Sequence, residues 1–184
     1  MAQLADEGMR GMTHRLVEQR AGQAQGAVKH HFGSLDGLIT AVVEHMVDVD
    51  LPLVLAPSSD DSGDAPSLVV QAQAVMEMVW SRPDLLRARM ELYVHAARRP
   101  ELQEIVARGR QRFVDRISAS LPGPDAELAA RFVAATMDGL ILDQLSAPCD
   151  LVAQHAGSLV VHAGHTGRVL AARTLTEPDT TGEQ

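Results

Sequence analysis

The sequence predicts an all-α fold, with an N-terminal head of short helices joined to a larger helical-bundle body. Three observations carry this. The composition favours helix: Ala, Leu, Arg, Glu and Gln dominate, and only 3% of the 184 residues are aromatic. Apolar residues recur at helical spacing, while strand signals are weak. Gly, Pro and capping residues then cut the chain into segments of helix length. The length suits one compact domain, or a small head on a larger body.

Residues 1–8 read as the end of a helix closed by Gly8. Thr13 is a good N-cap for a short helix, Thr13–Arg20, stopped by Ala21-Gly22. A second short helix is expected from about Ala24 to His31 and breaks at Gly33, where Ser34 caps the next. That next helix is strongly patterned. Leu35, Leu38, Ile39, Val42, Met46 and Val49 fall at i, i+3, i+4, i+7, i+11 and i+14. It runs to about Pro52. Residues 56–66 (APSSDDSGDAP) form the clearest loop. Helices follow at Ser67–Ser81, at Asp84–Arg98 and from Pro100. The last of these is striped by Leu102, Ile105, Val106, Phe113, Ile117 and Leu121. Pro122-Gly123-Pro124 ends it, and Asp125 caps a helix to about Leu145. After Pro148 a final helix is expected over Asp150–Arg173, weakened by Gly157, Gly164 and Gly167. The polar end, Glu177–Gln184, is expected to be disordered. The expected division is a head over 1–33, a body over 34–175 and a tail over 176–184, with roughly nine helices in all.

Charge and motif content narrow the function. The formal net charge is −8, which argues against blanket polyanion binding but leaves room for a local basic face. Lys29 is the one lysine, and it lies between the two short helices' turn and Gly33. A single cysteine, Cys149, excludes an intrachain disulfide framework and a Cys-rich zinc site. The first residues show no secretory signal, and no apolar run approaches about 18 residues, so a cytoplasmic protein without a membrane partner is expected. There is no G-x-S-x-G, phosphate loop or H-E-x-x-H, so no enzyme activity is expected. His162 and His165 are spaced i, i+3, with His155 further back, but they read as solvent-exposed. No metal and no cofactor is expected.

Two short helices around a tight glycine turn form a helix-turn-helix, which sets its second helix into the DNA major groove. Here THRLVEQRA, Gly22 and AQGAVKHHF fill those places. Gly26 and Ala27 are small enough for close approach to DNA. Lys29, His30 and His31 reach towards phosphates, and Gln25 towards a base edge. Two short helices around a glycine also occur in plain bundles, so spacing alone leaves both readings open.

The segment RAGQAQGAVKHHFGSLDGLITAVVEHM resembles the tetracycline-repressor (TetR) family of one-component transcription factors. Thr13, Val17, Ala21, Gly22, Gly26, Ala27, Val28, His31, Phe32 and Ser34 sit in matching places. ELYVHAARRPELQEIV and AATMDGLILDQLSAP are similar to body segments common in the family, so the resemblance covers nearly the whole chain. It implies a DNA-binding regulator, a repressor released from its operator by a small-molecule inducer. Arg15 and Gln25 would contact bases. Thr13, His14, Lys29 and His31 would contact phosphates, with His30 on either side and Ala27 on the approaching face. The partners implied are palindromic double-stranded operator DNA, an inducer and a second copy of the chain.

The chain departs from the family pattern at several places. A family first helix would extend about two turns before Met1. Glu18 stands where the family prefers a small Ala, and a buried carboxylate there is costly unless paired. Gln23 replaces an apolar turn residue. Ala24 replaces the Ser that caps the recognition helix, a loss of ~1 kcal/mol. Lys29 replaces a Tyr and Leu35 a Lys. Residues 1–37 hold four Arg/Lys and four Asp/Glu, so the head is formally neutral and its nonspecific grip on DNA should be weak. The competing reading is a degenerate or truncated member that binds a small ligand but holds DNA weakly or not at all.

The resemblance also implies a mostly apolar ligand pocket in the body. Met76, Met78, Trp80, Met90, Tyr93 and Met137 are its candidates, with His95 and Asp138 as polar groups. The same residues also read as plain core. The last two helices would pair with their copies in a dimer. Leu140, Leu145, Leu151, Ala156, Leu159 and Val160 are candidates there, with Gly157 and Ala156 permitting close approach. Burial within one chain is the alternative.

Overall fold

The computed structural model describes residues 1–54, 68–121 and 125–174. The expected loop at 56–66, the Pro122–Pro124 stop and the polar tail lie outside them. Every regular element among the described residues is helical. The head comprises α1 (Ala2–Glu7), a 3₁₀ turn (Gly8–Gly11), α2 (His14–Ala21) and α3 (Ala27–Phe32). The body follows with α4 (Leu35–Val54), α5 (Leu68–Trp80), α6 (Pro83–Ala96) and α7 (Pro100–Ser118). It ends with α8 (Ala126–Ser146), α9 (Asp150–Gln154) and α10 (Ala156–Thr174).

Local chemistry explains most boundaries. Thr13 is extended, and its Oγ1 accepts the Leu16 N–H at 3.2 Å, closing the first turn of α2. Ser34 does the same for α4, accepting from Gly37 N at 3.0 Å. Pro83 and Pro100 open α6 and α7, where a missing N–H costs nothing. Asp125 occupies the N-cap place of α8 but makes no side-chain capping bond, contrary to expectation.

The buried residues form two apolar clusters. The first joins Leu4, Met9, Met12 and Val28 of the head to Leu38, Ile39, Val42, Val43 and Met46 of α4. Ala88, Leu92 and Ala96 of α6 and Leu102 and Ile105 of α7 complete it. The second lies deeper in the body, around Met76, Leu86, Val114, Ala134, Met137 and Ile141. Five residues of α4 thus serve the head and the body together.

The single final helix expected over Asp150–Arg173 is instead two, broken at His155 (φ −111°, ψ 8°). The low helix propensity of the glycines is not the cause. The side-chain amide of Gln73, on α5, is inserted between Ala153 and Gly157. Its Oε1 accepts the Gly157 N–H at 2.9 Å, and its Nε2 donates to the Ala153 carbonyl at 2.9 Å. These are the two groups that an unbroken helix would join to each other, so one side chain replaces one rung of the ladder. Gly157 lets this happen: a Cβ there would lie 2.6 Å from Gln73 N and 2.8 Å from Gln73 Cβ. The close approach expected of Gly157 and Ala156 between two chains is therefore made within one chain, against α5.

Candidate nucleic-acid interface and ligand cavity

In the head, α2 ends at Gly22, whose left-handed conformation (φ 63°, ψ 27°) turns the chain towards α3. The recognition helix begins at Ala27, three residues later than expected. The chain first makes a turn, with Ala27 N–H on the Ala24 carbonyl at 3.1 Å and Gly26 at φ 89°. Gln25 consequently sits in the turn, not on the helix. Thr13, Arg15, Gln25, Lys29, His30 and His31 are exposed, and Ala27 is half-buried. His14 is the exception among the DNA candidates. Its Nε2 is enclosed without a hydrogen-bond partner, so that edge of the ring faces the protein. His31 packs edge-on against Phe32, with ring centroids 4.6 Å apart.

Glu18 supplies what Ala24 lacks. It is 4% exposed, and its Oε1 accepts from Gly26 N at 2.9 Å and Val28 N at 3.1 Å. Helix starts leave N–H groups without intrahelical partners, and a side-chain oxygen normally satisfies them from the N-cap. Here the oxygen comes across the turn from α2. The expected cost of a buried carboxylate is offset by two backbone donors, and the two helices are tied at a fixed angle. Arg20 adds a surface tie from α2 to Asp6 of α1, at 2.5 Å.

In the body, a cavity of about 50 Å³ lies between α4, α6, α7 and α8. Val43, Met46, Leu92, Val106, Phe113, Ala134 and Met137 provide its apolar wall, and Gly109 part of its floor. Arg89, Tyr93, Arg110 and Asp138 provide its polar end. Arg110 is ion-paired with Asp138, the two side chains being 31% and 22% exposed. The Asp138 carboxylate holds the Arg110 guanidinium in its charged form, overcoming the burial that opposes it. Tyr93 is pushed above the usual phenol range, first by burial and then by the negative Asp138. Arg89 and Arg110 partly oppose that shift.

Of the eight expected ligand residues, the cavity brings together Tyr93, Met137 and Asp138. Met76 is fully buried in the second cluster, Trp80 and Met90 pack on that cluster, and Met78 is exposed. His95 is half-buried, 3.7 Å from Glu91. For Met76, Met78 and Trp80 the reason is that α5 contributes nothing to the lining, whereas Met90 and His95 lie on α6, which lines the cavity through Arg89, Leu92 and Tyr93 instead. Sequence reasoning missed Arg89 and Arg110. Their signal was present: Val106, Arg110 and Phe113, like Leu86, Arg89 and Tyr93, fall at i, i+4, i+7 or i, i+3, i+7, placing an arginine inside an otherwise apolar stripe.

The expected dimer residues also divide. Leu140 (7% exposed) and Ala156 (0%) belong to the second cluster, and Leu145 and Val160 pack against it. Leu140 and Ala156 are enclosed in the protomer's own core, where α8 and α10 pack on each other, while Leu145 and Val160 are half-buried. Leu151 (68%) and Leu159 (43%) are exposed, joined by Leu142 (54%). His155 and His162 bond through Nδ1 to the carbonyls of Leu151 and Ser158, each at 2.9 Å. No cluster that could hold a metal occurs among the described residues. No helix among them is long and apolar enough to cross a membrane.

Comparison with known proteins identifies the family. Residues 67–165 match the tetracyclin repressor-like C-terminal domain family. The HTH-type transcriptional regulator BetI of Stenotrophomonas maltophilia (strain R551-3) is 30% identical over 149 residues, covering 76% of this chain and 74% of the relative. The chain belongs to the TetR family of transcriptional regulators. A second TetR-family relative, BetI 1 of Chromohalobacter salexigens, is 28% identical over 156 residues, covering 78% and 73% of the two chains. Among solved structures, a transcriptional regulator from Rhodococcus sp. Rha1 superposes with a TM-score of 0.65 at 26% identity, covering 89% of each chain. The multidrug binding protein EbrR, complexed with proflavin, shares the fold with a TM-score of 0.63 at 22% identity, covering 88% of this chain and 92% of that one. Both BetI relatives are named as HTH-type transcriptional regulators.

Proposed function

We propose that this TetR-family protein is a ligand-responsive repressor that holds palindromic operator DNA as a homodimer and releases it when a small molecule enters the body cavity. The observation that carries this reading is the sharing of α4 and α6 between head and cavity. α4 gives Leu38 and Ile39 to the head cluster and Val43 and Met46 to the cavity wall. α6 packs against α1 and the 3₁₀ turn and also carries Arg89, Leu92 and Tyr93. A ligand that prefers a wider cavity therefore displaces the helices on which the head rests, and the DNA-binding population falls.

In this reading Thr13, Arg15, Gln25, Lys29, His30 and His31 meet DNA. The exposed Leu142, Leu151 and Leu159 meet a second copy, placing the two recognition helices about 34–36 Å apart on one face of the duplex. The Glu18 cap supports the working-repressor reading over the degenerate one, because it restores the recognition helix that Ala24 leaves uncapped. The protein would act in the cytosol, where operator DNA is accessible. The test is a gel-shift titration at low salt, using the DNA just upstream of the protein's own reading frame and an unrelated duplex of equal length. Preferential retardation of the upstream duplex is expected. Equal or absent retardation of both overturns the operator-binding reading.

A further inference from the structure

We propose that the cavity takes an apolar ligand carrying one carboxylate, and that this carboxylate replaces Asp138 on Arg110. The inference rests on the reading of the body as the ligand-sensing part, and it adds the chemical class of the ligand.

The Arg110–Asp138 pair bridges α7 and α8 at the polar end of an otherwise apolar cavity. A guanidinium presents a planar fork that accepts any carboxylate in the same way, so Asp138 occupies a place that a ligand acid fits. Neither partner is deeply enclosed, and Asp138 at 22% exposure can turn to water once displaced. Exchange of one carboxylate for another then keeps Arg110 paired throughout, which avoids the large cost of stranding a half-buried charge.

Other ligand classes fit less well. A cation would have to take Asp138 from Arg110 and leave that guanidinium beside it, with Arg89 lining the same cavity. Arg89 and Arg110 thus set two guanidiniums against the single Asp138 carboxylate among the cavity's lining residues. A neutral molecule gains no charge-assisted bond at the polar end and leaves the pair intact, so it acts on α7 and α8 through cavity width alone. An acid breaks the ion pair that ties the two helices at the cavity, while the Arg131–Gln111 bond and the apolar packing between them remain. The present volume of about 50 Å³ holds little more than water. The apolar part of the ligand therefore enters by rearranging Met46 and Met137, the adaptable side chains of the wall.

The test uses the full chain with decanoate and 4-phenylbutyrate, each beside its primary amide and its primary amine. Binding is measured by isothermal titration calorimetry, and release of the upstream duplex by fluorescence anisotropy. The acids are expected to bind at least about ten-fold tighter than the amides or amines and to release DNA. Asp138→Asn removes the internal competitor and should tighten acid binding by about ten-fold; Arg110→Gln should abolish the preference for acid over amide. Should Arg110→Gln fail to fold, the Asp138→Asn comparison decides alone. Equal or better binding by the amides or amines, no binding by either acid, or unchanged acid affinity in Asp138→Asn overturns the proposal. If neutral or cationic probes bind and release DNA while the acids do not, the ligand class fails and the ligand-responsive reading stands. If probes bind and none releases bound DNA, the ligand-responsive reading fails as well.

Discussion

Glu18 sits in the helix-turn-helix with its carboxylate out of water, held by the N–H groups of Gly26 and Val28. Removing the acceptor strands both donors at the start of α3. Glu18→Ala should therefore cost about 2 kcal/mol, read as a lowered urea midpoint at unchanged slope, and should weaken operator binding. Glu18→Gln keeps an acceptor oxygen in place and should recover most of both losses. An equal loss in the two variants would mean that charge, not capping, is what matters at this site. The contrast with Thr13 shows where residue-level reading works. Thr13 and Leu16 are three positions apart, so the cap is visible in the sequence. Glu18 and Gly26 are eight apart across a turn, and their meeting depends on how two helices pack. Arg89 and Arg110 stand between these cases: their place in apolar stripes is visible in the sequence, but their meeting needs four helices to converge.

At the scale of elements, most helix ends coincide with Gly, Pro, Ser or Thr signals, because these act on the backbone within a turn of themselves. The kink between α9 and α10 has a remote cause instead. Gln73 lies 80 residues from Ala153 and 84 from Gly157, so nothing local marks the break. The glycine at 157 was legible as a weak point in a helix, but its use is steric. Gly157→Ala should lower stability by about 1–3 kcal/mol, since the new methyl group must push the Gln73 backbone away. Thermal unfolding followed by circular dichroism checks this. A variant as stable as the parent would show that α5 and α10 slide apart freely.

For the whole molecule, the all-helical order and the helix-turn-helix were readable from periodicity and from the Gly22 turn. The division of labour between core and interface was not. Leucines at helical spacing look alike in sequence, and only packing separates Leu140, enclosed by its own chain, from Leu142, left facing outwards. If Leu142 and Leu159 meet a second copy, Leu142→Asp with Leu159→Asp should yield monomers in analytical ultracentrifugation while helix content is kept. A dimer that survives both changes would place the contact on another face.

The first apolar cluster also limits what can be taken apart. Leu4, Met9, Met12 and Val28 owe their burial to α4, α6 and α7, so the head lacks an interior of its own. A fragment ending at Gly33 would carry every exposed DNA candidate and still be unable to present them. The DNA-reading unit is thus not a portable module to be grafted onto another protein. Its order is on loan from the same helices that line the cavity, and a graft would have to bring that scaffold with it.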